Sequence, residues 1–209
     1  MSWPAEQKKL KRELCDLLMR IGALKFGMFS LPDNKLSPYY VDLRIIPSFP
    51  EAFAKVEHLF HQMAVNSVDL KEIKRIAAIP TAGIPFASVL AYNLTKPFLY
   101  VRGEPTHGRT RRVEGILISG DSVLLVDDLI TTGKTMLGAL DSIRAEGGVV
   151  KDILVLIDRQ EGGKEALMAQ GVKLHSLIRM DEAARILYDV DSIDKEQLNS
   201  ILKQISARG

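Results

Sequence analysis

The stretch from Leu124 to Met136 reads Leu-Leu-Val-Asp-Asp-Leu-Ile-Thr-Thr-Gly-Lys-Thr-Met, and it constrains the fold more than any other part of the chain. An apolar, partly β-branched run ending in Asp127 and Asp128 predicts a buried parallel strand with carboxylates at its carboxyl edge, where open α/β sheets bind ligands. The turn Thr131–Thr135 then aims free backbone N–H groups at an anion from the start of a helix. Phosphate on the amides and hydroxyls, with a polyol or metal on the acids, is the simplest combined chemistry. A plain strand-to-helix turn with threonine as N-cap is the alternative. Gly133-Lys134-Thr135 imitates the end of the nucleotide-binding loop G-x-x-x-x-G-K-[ST], but Asp128 stands where that motif needs glycine and would face the polyphosphate.

The rest of the chain suits such a sheet. Its 209 residues, 46% hydrophobic and 26% charged, support one α/β core and are too few for two ordinary catalytic domains. A net charge of +2 gives no bulk reason to expect nucleic acid or an anionic membrane. The lone cysteine, Cys15, excludes an intrachain disulfide, fits a reducing compartment and falls in an amphipathic helical pattern that makes it a core thiol. No signal-peptide pattern or membrane-length apolar run is present, so a soluble cytoplasmic protein is expected.

Leu10, Leu14, Leu17, Leu18 and Ile21 recur at helical spacing, predicting an opening amphipathic helix that ends near Gly22. Residues 25–30 and 37–43 read as two strands around the turn formers Pro32-Asp33-Asn34, a hairpin able to act as a hood. Pro50 introduces a helix through about Val65. Strand candidates at 76–79, 98–101, 123–126, 153–157 and 173–177 alternate with helical stretches, which predicts a mainly parallel sheet covered on both faces. Residues 106–112 read as a mobile loop between two strands, and a last helix spans roughly 195–207. The expected organisation is one domain, 1–209, with helix and hood over about 1–45 and the α/β core over about 46–209.

Three further segments bear chemistry. Pro80-Thr81-Ala82-Gly83-Ile84-Pro85 follows a strand with small residues that let backbone approach a ligand such as pyrophosphate, or simply form a tight turn. The segment from Arg102 to Arg112 holds four arginines and His107, positive charge that could close over a polyanion or be merely solvated, and it lacks the interleaved aromatics of a single-strand RNA binder. In Asp158-Arg159-Gln160-Glu161-Gly162-Gly163, a strand end presents Arg159 at the same edge as the two acids, where it could fork onto a carboxylate or carbonyl pair.

The Asp127-Asp128 stretch resembles the phosphoribosyl pyrophosphate (PRPP) motif of type I phosphoribosyltransferases. Gly22-Ala23-Leu24-Lys25-Phe26-Gly27, Ser37-Pro38-Tyr39-Tyr40-Val41-Asp42, the Arg102–Gly108 segment and Asp158-Arg159-Gln160-Glu161 are similar, in order, to the orotate phosphoribosyltransferase family, over roughly residues 5–190. The resemblance implies an α/β type I phosphoribosyltransferase fold: a mainly parallel central sheet flanked by helices, with a small N-terminal helix and hairpin hood. It implies transfer of phosphoribosyl from PRPP to orotate, giving orotidine 5′-monophosphate and pyrophosphate for UMP synthesis. By the same resemblance Asp127, Asp128 and His107 are the catalytic set. Arg102, His107, Thr81, Ala82 and the run Asp127, Asp128, Leu129, Ile130, Thr131, Thr132, Gly133, Lys134 and Thr135 would bind PRPP. Thr131, Arg159, Tyr40 and Val41 would bind orotate. Mg²⁺ would be carried mainly by PRPP, and a homodimer would share the loop across its interface.

Two departures bear on activity. The family's loop usually carries a lysine after the arginine and another before the histidine; here Gly103 replaces the first and the second is lost, leaving Arg109, Arg111 and Arg112 as substitutes. Pro32 stands where many members carry lysine. A non-catalytic PRPP-sensing module and a phosphoribosyltransferase for another base therefore stay open as alternatives. His58 and His61 lack a metal-binding register and read as surface or interface; His175 reads as structural.

Overall fold

The computed structural model describes residues 3–30, 36–102 and 112–208. His107, Arg109, Arg111, Gly103 and Pro32, with the hairpin turn at 32–34, lie outside the described residues. The chain opens with α1 (Trp3–Arg20), whose Leu10, Leu14, Cys15, Leu17 and Leu18 are all buried, as the periodicity predicts. Burial pushes the Cys15 thiol up to about 12, which makes it a packing group rather than a nucleophile. Antiparallel strands β1 (Leu24–Ser30) and β2 (Leu36–Val41) follow as a separate two-stranded sheet. The predicted second strand stops short of Leu43, because Asp42 caps a 3-10 turn (Leu43–Ser48) by accepting from the Arg44 N–H.

After α2 (Pro50–Ser67) come β3 (Arg75–Ala78), α3 (Gly83–Asn93), β4 (Phe98–Val101), β5 (Val113–Glu114), β6 (Ser122–Val126), β7 (Leu129–Ile130), α4 (Lys134–Ala145), β8 (Val149–Asp158), α5 (Gly163–Ala169) and β9 (Lys173–Arg179). Helices α6 (Met180–Asp189) and α7 (Lys195–Arg208) end the described chain. Across the large sheet β5, β4, β3, β6 and β8 are successive neighbours; β9 pairs with β8 too, and only β5 is antiparallel. Two short strands, β5 and β7, and helix α6 are absent from the sequence reading; two-residue strands carry no periodicity to detect.

The strands alternate between two buried layers. Leu124, Val126, Leu154 and Leu156 face a core shared with α1, α2, α3, α6 and the hood, while Val123, Leu125, Ile153 and Val155 face α4 through Met136, Leu140 and Ile143. Strands buried on both faces explain their near-continuous apolar sequences. From β3 the chain passes to β4 on one side, and from β6 to β8 on the other. The carboxyl ends of β3 and β6 therefore flank the crevice where chain direction diverges, the usual ligand position in an open α/β sheet.

Candidate active site

The two acids do not end their strand. The Asp127 N–H donates to the Leu154 carbonyl (3.0 Å), the Leu156 N–H donates to the Asp128 carbonyl (2.9 Å), and β7 continues along β8 with Leu129 opposite Ile157. On the other side β3 stops pairing once the Ile79 N–H has reached the Val126 carbonyl (3.3 Å). Asp127 and Asp128 thus stand in a notch, backed by β8 and open toward the segment after β3. The strand β7 also separates the acids from the helix, where the sequence reading runs the turn on directly.

Gly83 closes the far wall of the notch. A Cβ there would lie 2.7 Å from the Val126 carbonyl oxygen and 2.9 Å from Asp127 Oδ1, so only glycine lets the start of α3 approach the acids this closely. The neighbouring Pro80–Thr81 peptide is cis. Gly133, at φ 77, is the N-cap of α4 and supplies no side-chain cap; the threonine cap of the alternative reading is not formed. The first amides of α4 are left for an anion, which the positive end of the helix favours.

A cavity of about 220 Å³ results, lined by Pro80, Ala82, Asp127, Asp128 and the run from Leu129 through Met136. Every PRPP-binding residue expected between Asp127 and Thr135 lines it, as does Ala82; Thr81 does not. Larger hollows lie between α1 and the start of α2 and between α2 and α3, remote from the acids in sequence and lined largely by apolar groups. Both carboxylates are buried, each 8% exposed. Desolvation raises both above the usual carboxylate range, the charge of Asp128 adds to the rise at Asp127, and the N–H groups of Asp128 and Leu129 offset it in part. Ionised acids here are unusually receptive to hydroxyl donors or a developing cation.

Arg159 stands at the adjacent strand end, its N–H donating to the Ile130 carbonyl (3.0 Å) one residue before Thr131. Its guanidinium lies 5.1 Å from the Tyr39 ring centroid, its Nε donates weakly to the Tyr39 hydroxyl (3.4 Å), and its Nη2 pairs with Glu161 Oε1 (2.9 Å). The hood therefore reaches the same edge as the acids. It does so through Tyr39, a residue the sequence reading assigned no role; the alternation of Ser37, Tyr39 and Val41 on one face of β2 was the available signal. Tyr40 instead stacks beside Phe29, with ring centroids 5.7 Å apart, and Val41 is buried.

Arg102 is drawn elsewhere. Its Nη1 donates to Glu114 Oε1 (3.0 Å) and its N–H to the Arg112 carbonyl (2.8 Å), so it braces the base of its loop and does not line the cavity. His175 Nε2 lies 2.7 Å from Asp152 Oδ1, a structural tie between β9 and β8. His58 and His61 border a hollow between α2 and α3, and among the described residues no three metal-binding side chains converge.

Residues 45–177 match the model of the phosphoribosyl transferase domain. The orotate phosphoribosyltransferase of Cenarchaeum symbiosum is 39% identical over 188 residues, 90% of this chain and 92% of the relative, an alignment too long to be confined to that domain match. The crystal structure of orotate phosphoribosyltransferase from Aeropyrum pernix has a TM-score of 0.76 at 32% identity, covering 87% of this chain and 99% of its own. Leishmania donovani UMP synthase gives a TM-score of 0.82 at 27% identity over 94% of this chain and 42% of its own.

Proposed function

This chain belongs to the orotate phosphoribosyltransferase family, and from that premise we propose that it transfers the phosphoribosyl group of PRPP to orotate, a step toward UMP. The observation that carries the reading is the meeting of two half-sites on one sheet edge. An acid and hydroxyl cradle suits a ribose 5-phosphate, and beside it Arg159, with Thr131 next along the edge, suits a ring bearing a carboxylate.

In the reaction the orotate ring nitrogen attacks C1 of PRPP as the bond to pyrophosphate breaks, the proton of that nitrogen passing to the departing pyrophosphate, and positive charge develops on the ribose. Such a transition state asks for positioning and nearby negative charge more than covalent help. Asp127 and Asp128 hold the ribose hydroxyls and stand close to that charge. The amides and hydroxyls of Thr131–Thr135 hold the 5′-phosphate, and the Thr81-Ala82 segment approaches the pyrophosphate. Arg159 orients orotate, with the backbone of Tyr40 and Val41 flanking the ring. The loop carrying His107, Arg109, Arg111 and Arg112 covers the leaving group and excludes water, with Arg102 bracing its base through Glu114.

The donor set, two carboxylates among hydroxyls with no third acid or histidine converging among the described residues, fits a hard ion held chiefly by the substrate's own phosphates. Mg²⁺ so held would neutralise the departing pyrophosphate. The acting form is a homodimer. A lone, buried cysteine and the absence of any described helix long and apolar enough to cross a membrane support a cytoplasmic location.

The test is loss of orotate absorbance with PRPP and Mg²⁺ present. Turnover is expected from the parent chain and a fall of about 100-fold or more from Asp128→Asn, the scale of losing one electrostatic stabiliser. No consumption at high enzyme concentration would sink the reading. Gly103 in place of the usual lysine favours a second reading, a PRPP-sensing module, for which PRPP would bind without turnover.

A further inference from the structure

We propose that Tyr39, Glu161 and the left-handed turn at Gln160 form a cage that fixes Arg159 with one end of its guanidinium open, making Tyr39 and Glu161 positioning residues for selection of a carboxylate-bearing ring. The inference rests on the reading of Arg159 as the orotate residue.

Three observations carry it. First, the contacts of Arg159 fall on one edge: Nε toward the Tyr39 hydroxyl, Nη2 toward Glu161 Oε1, and the flat face against the Tyr39 ring. Nη1 makes no hydrogen bond among the described residues, so the Nη1–Nη2 end is the one left to fork onto a planar carboxylate. Second, the pair is nearly dry. The side chains of Arg159 and Glu161 are each 12% exposed and Tyr39 is 1% exposed, so the ion pair and the ring contact are far less screened than on the surface.

Third, the backbone between the pair is held in an unusual conformation. Gln160 has φ 58, a left-handed value uncommon for a residue other than glycine. It is tied at both ends: its N–H donates to Asp158 Oδ1 (2.8 Å) and its side-chain Oε1 accepts from the Asp181 N–H (2.9 Å). Asp158 is itself 3% exposed. Strain of this kind persists where surrounding contacts over-determine it, and here it sets Arg159 and Glu161 side by side at the sheet edge.

The cage does two things to binding. An arginine free to sample its rotamers would lose that entropy when orotate docks, whereas the caged one has already lost it during folding. Charge compensation by Glu161 also keeps the buried guanidinium stable before substrate arrives.

Steady-state kinetics of the full chain with orotate and PRPP test the idea, with inhibition by uracil, the same ring without its carboxylate, read alongside. Tyr39→Leu and Glu161→Gln should each raise the orotate KM about tenfold, the equivalent of a partly desolvated cation–π or ionic contact. The PRPP KM and uracil inhibition should stay within about twofold of the parent, below the tenfold that 1.4 kcal/mol represents. Tyr39→Phe, which retains the ring, should recover most of the loss in Tyr39→Leu. If Tyr39→Leu fails to fold, Glu161→Gln and Tyr39→Phe carry the same comparison. An unchanged orotate KM in Glu161→Gln, or PRPP and orotate KM rising together, overturns the cage. Arg159→Ala separates this from the underlying reading: if it leaves the orotate KM unmoved, Arg159 is not the orotate residue and both claims fall.

Discussion

At the residue scale, Glu57 stands apart from the site chemistry. It lies on α2, 5% exposed, and neither carboxylate oxygen has a hydrogen-bond partner among the described residues. Burial pushes its carboxyl from 4.5 up to about 8. The folded chain then keeps a proton that the unfolded chain has released between those two values, so stability falls as pH rises across that window. Glu57→Leu removes the unpaired group and should melt higher than the parent, with a larger gain at about pH 9 than at about pH 5. A gain that does not change with pH, measured by thermal unfolding at both values, would show that Glu57 is not the titrating group. Nothing in the local sequence marks this residue, since a glutamate between Val56 and His58 reads as an ordinary helical acid; its burial depends on α3 and the 3-10 turn packing over α2. The paired aspartates are the opposite case, legible because strand, acids and turn occur within one short run.

Among elements, the segment from Arg102 to Arg112 carries the charge proposed for the leaving group, and its two ends are tied to the sheet. Strand β5 pairs antiparallel with β4, and Glu146 Oε1, near the end of α4, accepts from the N–H groups of Arg112 (3.2 Å) and Val113 (2.9 Å). Both ends of the loop are therefore anchored to the sheet edge, while Arg109 and Arg111 lie outside the described residues. If arginines serve the leaving group in place of the absent lysines, changing Arg109, Arg111 and Arg112 together to alanine should lower kcat by about 100-fold while PRPP affinity changes much less, the pattern of groups acting mainly in the transition state. An unchanged kcat would assign the leaving group to other residues. The composition of this loop was readable from sequence; the two-residue strand that anchors it was not, because β5 exists only through pairing with β4 and burial of Val113.

For the whole molecule, the proposed homodimer makes each site depend on both chains. Sedimentation should show a dimer, and mixing two defective chains tests sharing directly. If the loop serves the neighbouring subunit, Asp128→Asn mixed with the loop triple-alanine variant forms heterodimers in which one site is intact, and turnover exceeds the sum of the separate variants. Turnover equal to that sum would confine each loop to its own chain. The parallel sheet, the opening helix, the hairpin and the acid and hydroxyl cradle are legible in the order of the residues, because each arises from residues close along the chain whose spacing matches a strand, helix or turn. Folding alone brings Tyr39 rather than Tyr40 onto Arg159, requires Gly83 to lack a side chain so that α3 can meet Asp127, and turns Arg102 to Glu114. Those relations join segments tens of residues apart, and packing settles them: side chains compete for the same buried space and counter-charges, and that competition exists only once the sheet has brought them together.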